Sequence, residues 1–168
     1  MTRPYYLIFV ISIPLIFSCT KAENYFRLSS FETPIIEGYN LRNLFGDYVG
    51  SVGNPNVKNG DYDSEYFFRF YPNPAIENCY LYTKSPTTLS LKKLWITMAQ
   101  FGDRITNYSN NIGMNNFYIG GVPLIQIEFN GDNIQIDLSS LEEGYYRIYI
   151  KIDENILYDN LVIINSNQ

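Results

Sequence analysis

An all-β fold of short antiparallel strands is what this chain predicts, and three observations predict it. From residue 66 onward, short runs rich in Tyr, Phe and Ile are separated by clusters of Gly, Asn, Asp and Pro, and no long helical period appears. Within several runs apolar and polar residues alternate, the mark of strands with one face turned to a core. The chain has 168 residues, 46% hydrophobic and 17% charged, the balance of a folded globule long enough for one core.

In chain order the first element is an address. Residues 1–18 read as a signal peptide: Arg3 is a short positive start, and residues 7–17 are mostly apolar, interrupted by Ser12 and Pro14. About a dozen apolar residues are too few to span a bilayer as a helix and suit a secretory segment. Ile16-Phe17-Ser18-Cys19 closes the run, and a small residue before cysteine at this point resembles the bacterial lipobox. That resemblance implies that Cys19 is acylated and becomes the first mature residue. Phe17 departs from the small or branched residue most lipoboxes carry there. An ordinary cleaved signal, with Cys19 incidental, or an uncleaved anchor is the alternative. Two or three acyl chains on Cys19 would hold the protein firmly on a membrane, since a single chain binds only marginally. The expected location is the outer membrane, with the periplasmic or the cell-surface face left open.

Removal of Arg3 with the leader leaves 11 of the 12 basic residues against 17 acidic ones, a mature side-chain charge of −6. An acidic chain lacks the basic face that nucleic acid requires, so no nucleic-acid partner is expected. With Cys19 lipidated, Cys79 has no disulfide partner in the chain, and it is expected to be a small buried thiol.

Residues 19–65 are expected to be a tether and N-terminal extension. Residues 20–32 are polar and irregular, and residues 34–48 could hold a short helix or an added strand. Residues 50–65 contain Gly53-Asn54-Pro55-Asn56 and Asn59-Gly60-Asp61 and read as a loop into the domain proper. Asp61, Asp63 and Glu65 lack EF-hand spacing, so no metal site is expected there.

The domain proper is expected at residues 66–168, with strands at 66–71, 79–83, 93–98, 116–119, 124–129, 133–138, 145–152 and 156–164. Asn130-Gly131 between alternating runs predicts a hairpin that pairs Ile127 with Ile134 and Ile125 with Ile136. A second hairpin, turning at Asp153-Glu154-Asn155, places Ile150 opposite Tyr158 and Tyr146 opposite Val162. On its first strand Tyr146, Ile148, Ile150 and Ile152 form an apolar face, and Tyr145, Arg147, Tyr149 and Lys151 a wet one. The resulting expectation is an immunoglobulin-like antiparallel β-sandwich of about seven to eight strands.

Two motifs frame this domain: Tyr71-Pro72-Asn73-Pro74 after the first strand, and Asp137-Leu138-Ser139-Ser140-Leu141-Glu142-Glu143-Gly144-Tyr145-Tyr146 before the penultimate one. Their order and spacing resemble the C-terminal sorting domain of type IX secretion cargo of Bacteroidetes. The family opens with a Tyr-Pro-Asn-Pro turn and later carries Asp-Leu-Ser-x-Leu-x-x-Gly-x-Tyr. The resemblance covers residues 66–164 and implies a sandwich and a secretion-system partner. A lipidated signal, a long segment at 105–133 and a last strand without a following basic residue depart from the family. The residues themselves suit structural roles. Pro72 and Pro74 lack donors and must leave the strand, Leu138 and Leu141 would plug the sandwich end, and Gly144 can adopt backbone angles other residues resist before Tyr146 enters the core.

The absence of histidine removes serine–histidine and cysteine–histidine catalysis and histidine-ligated metals. No catalytic residue, cofactor or metal is therefore expected. The function expected is non-enzymatic binding or assembly by a lipid-anchored envelope protein, through an envelope or secretion-system protein. The alternative is a glycan- or protein-binding accessory of nutrient uptake, with Tyr145 and Tyr149 as the candidate binding surface.

Overall fold

The computed structural model describes residues 33–87, 89–102 and 120–165. The signal peptide expected at 1–18, Cys19 and the strand expected at 116–119 lie outside them. Every regular element among the described residues is a strand. The order is β1 (Ile35–Ile36), β2 (Gly38–Arg42), β3 (Tyr48–Gly53), β4 (Phe67–Tyr71), β5 (Asn78–Lys84), β6 (Lys92–Met98) and β7 (Gln100–Phe101). It continues with β8 (Pro123–Phe129), β9 (Asn133–Asp137), β10 (Gly144–Ile152) and β11 (Asn155–Ile163). The seven expected strands that fall on described residues end within one residue of β4, β5, β6, β8, β9, β10 and β11.

Two antiparallel sheets enclose the core. One runs β11-β10-β6-β8, the other β4-β5-β9. Phe68, Phe70, Cys79, Leu81 and Ile136 from the smaller sheet join Leu94, Ile96, Tyr146, Ile148, Ile150 and Leu161 from the larger in one buried cluster. Each large side chain so buried contributes roughly 1.5–3 kcal/mol. The alternation explains the assignment: Cys79, Leu81 and Thr83 face in, while Tyr80 faces out. Burial pushes the Cys79 thiol up to about 12, which leaves it protonated and unreactive. Thiol labelling of the folded protein should therefore proceed only in denaturant; rapid labelling without it would mean that Cys79 is not in the core.

Asn130-Gly131 turns the chain, but not into a hairpin. β8 pairs with β6, and β9 with β5, so the turn carries the chain from one sheet to the other. Ile125 and Ile127 therefore pack on the core from one wall, and Ile134 and Ile136 from the opposite wall. Gly131 takes the positive φ of +90°. The buried Lys92 fixes the corner: its Nζ donates to the Gly131 carbonyl at 2.6 Å and to Asp132 Oδ1 at 3.0 Å. A turn signal reports a local reversal; the partners of its two legs are chosen by long-range packing.

The last hairpin is real, but its register is one residue from the expected one. Asp153 adopts φ of +53° and the loop has two residues, so Ile152 faces Asn155, Ile150 faces Leu157 and Tyr146 faces Leu161. The shorter loop puts Leu157 and Leu161, rather than Tyr158 and Val162, across from the apolar face of β10.

The second face of β10 is wet only in part: Tyr145 is exposed and Lys151 partly so. Arg147 and Tyr149 are buried, and residues 33–60, expected as part of the tether and N-terminal extension, supply much of what covers Arg147. Arg147 donates from Nε to Asn160 Oδ1 at 3.1 Å and from Nη2 to the Ile35 carbonyl at 3.1 Å and Asn56 Oδ1 at 2.9 Å. Asn160 in turn donates to the Gly38 carbonyl at 2.6 Å. Along the edge of β11, Lys58 exchanges backbone hydrogen bonds with Tyr158, and Ala75 bonds Val162 and Ile164. β2 is held by a buried ion pair, Arg42 Nη2 to Asp159 Oδ2 at 2.7 Å. This docking is carried by carbonyls, amides and charges, which leave no apolar period in a sequence.

Candidate functional site

The framing-motif residues form supports rather than an open site. After β4 the chain turns at Tyr71-Pro72-Asn73-Pro74, and both X-Pro peptides are cis. Asn73 is buried: its Nδ2 donates to the carbonyls of Asn40 and Asn160, and its Oδ1 accepts from the Val162 amide at 2.9 Å. One amide side chain thus ties the end of β4 to β2 and β11. In the second motif, Asp137 Oδ1 accepts from the Ser139 amide at 2.9 Å, and hydrogen bonds from Ser139 hold the carboxyl below its usual range. Leu138 is fully buried, and Leu141 packs against the core. Gly144 has φ of +153°, and the Tyr146 hydroxyl donates to the Glu142 carbonyl at 2.7 Å. A cleft of about 450 Å³ opens beside Leu141, with Glu77, Glu142 and Glu143 on its rim.

Tyr145 and Tyr149 share a face of β10 but not an exposed platform. Tyr149 is only 5% exposed, and its hydroxyl accepts from the Gly120 amide at 3.2 Å. Its ionisation is pushed up, chiefly by burial. Tyr145 is exposed, as expected, but belongs to a different group, with ring centroids 5.0 Å from Phe101 and 6.3 Å from Tyr39.

A further group of rings lies on the other sheet. Phe68 and Phe70 of β4 face the core, so Phe67, Arg69 and Tyr71 must face out. On β5 the same argument turns Asn78, Tyr80, Tyr82 and Lys84 outward, and on β9 Asn133, Gln135 and Asp137. The registers line these residues into rows: Tyr71, Tyr80 and Gln135; Arg69, Tyr82 and Asn133; Phe67 beside Lys84. Successive rows stand about 7 Å apart along the strands.

Ring contacts gather these residues into two groups. Tyr71 and Tyr80 lie 5.9 Å apart at 31°, and Tyr82, Phe67 and Tyr62 follow at 6.3 and 5.9 Å. Arg69 lies between the two groups, its guanidinium 5.9 Å from the Phe67 ring centre. Its Nε is shut off from water and has no hydrogen-bond partner. Lys84 donates to the Tyr62 carbonyl at 2.8 Å while lying over the Tyr62 ring. The turn after β2 closes the Tyr71 end: a Cβ at Gly46 would stand 3.0 Å from the Tyr71 ring.

Sequence reading named Tyr71 here only as a turn residue and did not single out Arg69, Tyr80, Tyr82 or Gln135. The signal was present: alternation splits 67–71 and 78–84 into inward and outward sets. It becomes a surface only once β5 is known to lie between β4 and β9. Among the described residues no group of three or more Cys, Asp or Glu is arranged to hold a metal ion. No protein-family model matches the chain, and no curated protein sequence does.

Proposed function

We propose that this chain is a lipid-anchored protein of the outer membrane whose immunoglobulin-like β-sandwich works by binding or assembly rather than by catalysis. The observation that carries the binding reading is the outward face of β4-β5-β9, where rings and amides lie in register; Tyr80 is 46% exposed, Tyr71 and Tyr82 are partly exposed, and Phe67 is buried beside them. Aromatic rings with polar tips supply contact area at low entropic cost. The anchor rests on the run that ends in Ser18-Cys19. Kinship with type IX sorting domains is part of the proposal and rests on the two framing motifs, whose residues brace the sandwich.

A glycan- or protein-binding accessory of nutrient uptake is the form of this reading that the ring surface favours. Assembly by strand addition is the second form, favoured by β3, which pairs only with β2 among the described residues and exposes Tyr48 and Val49.

Lipid labelling and cell fractionation test the anchor. The wild type should carry the label and sediment with membranes, and Cys19→Ala should lose both. An unchanged distribution, with no label on the wild type, would remove the anchor from the proposal.

A further inference from the structure

We infer that the outward face of β4-β5-β9 binds an acidic polysaccharide, with Tyr71, Tyr80 and Tyr82 stacking on sugar rings and Arg69 receiving a uronate carboxylate. This deepens the binding reading above and is independent of the lipid anchor.

The chemistry of the face selects a sugar over a peptide. Its outward strand positions hold Phe67, Arg69, Tyr71, Asn78, Tyr80, Tyr82, Lys84, Asn133, Gln135 and Asp137, with no aliphatic side chain among them. A protein-docking patch is built around an apolar, desolvated centre with anchors in pockets. A pyranose is amphipathic in another way: one face presents C–H groups that pack on a π surface, and its rim presents hydroxyls that need donors and acceptors. Tilted rings in rows, edged by the amides of Gln135, Asn133 and Asn78, meet both needs. Gln135 Nε2 already donates to Asn78 Oδ1 at 3.1 Å, which leaves its own oxygen to accept from a ligand hydroxyl.

The charge of the ligand follows from Arg69. Acidic residues outnumber basic ones 17 to 12 in this chain, yet no carboxylate of the described residues pairs with the Arg69 guanidinium. Its Nε is buried without an acceptor, whereas the terminal Nη groups are not closed off and are the ones that face a ligand. Asp137, the carboxylate of the face, stands at the opposite end, across from Asn78, and is occupied with Ser139. A guanidinium flanked by rings matches a planar carboxylate in two-pronged geometry.

Affinity electrophoresis of the full-length protein in non-ionic detergent tests this, with polygalacturonate or neutral galactan cast in the gel. Polygalacturonate should retard the protein and galactan should not. Arg69→Gln and Tyr80→Ala should each weaken retardation about tenfold, with melting temperatures close to wild type because both side chains reach the surface. Retardation by galactan equal to that by polygalacturonate would overturn the acidic assignment. Binding untouched by either substitution would overturn the location, and binding of peptides with no polysaccharide bound would overturn the ligand class. None of these outcomes bears on Cys19, whose test is fractionation.

Discussion

Tyr146→Ala is expected to be among the most destabilising single changes in the domain, lowering the melting temperature by on the order of 10 °C. Tyr146 is 1% exposed and joins the core of both sheets, and its hydroxyl satisfies the Glu142 carbonyl at 2.7 Å. Truncation removes a ring from a packed interior, at a cost of about 3–5 kcal/mol, and each kcal/mol moves the midpoint by roughly 2–4 °C in a chain of this size. Tyr146→Phe separates the contributions, because it keeps the ring and should cost only about 1 kcal/mol for the lost hydrogen bond. Tyr145→Ala, one position along, should cost about 1 kcal/mol, the worth of its ring contacts with Phe101 and Tyr39. Calorimetry of the three variants decides. If Tyr145→Ala proved the most damaging, the two faces of β10 would have to be exchanged.

Breaking the Arg42–Asp159 pair is the second large effect expected. Asp159 is fully buried, and its Oδ2 accepts from Arg42 at 2.7 Å and from Asn59 Nδ2 at 2.8 Å, while its Oδ1 accepts from the Asn160 amide. Arg42→Met leaves that carboxylate in the interior without its cation, which typically costs about 3–5 kcal/mol. The double variant Arg42→Met/Asp159→Leu removes both charges and should recover most of the loss. Denaturant unfolding measures both, and limited proteolysis should show faster cleavage near residues 43–65 in the single variant as β2 and β3 loosen. A single variant within about 0.5 kcal/mol of wild type, the range of surface changes, would mean that the pair is solvated and does not hold β2.

The reach of the sequence can be read from particular residues. Alternation in 145–152 determined that Tyr146, Ile148, Ile150 and Ile152 enter the core, and alternation in 79–83 determined the same for Cys79 and Leu81. Those assignments need only the period of a strand, which is local. The proposed N-terminal address rests on equally local features, apolar length and one cysteine. Tertiary structure alone decided which strands are neighbours. Asn130-Gly131 specified a reversal, yet β8 found β6 and β9 found β5, because burying isoleucines on opposite walls fills one core from both sides.

Coverage of the second face of β10 was also a tertiary decision. Arg147 and Tyr149 have the composition of wet strand positions, and the residues that bury Arg147 lie some ninety to a hundred and ten positions away and act through the Ile35 carbonyl and the Asn56 side chain. Such contacts have no period and no hydropathy, so nothing local announces them. The same holds for the ring surface. Each of Arg69, Tyr71, Tyr80, Tyr82 and Gln135 could be placed outward from its own strand, but whether they meet depends on β5 lying between β4 and β9 in one register. Side-chain direction is a property of the strand; a binding surface is a property of the sheet.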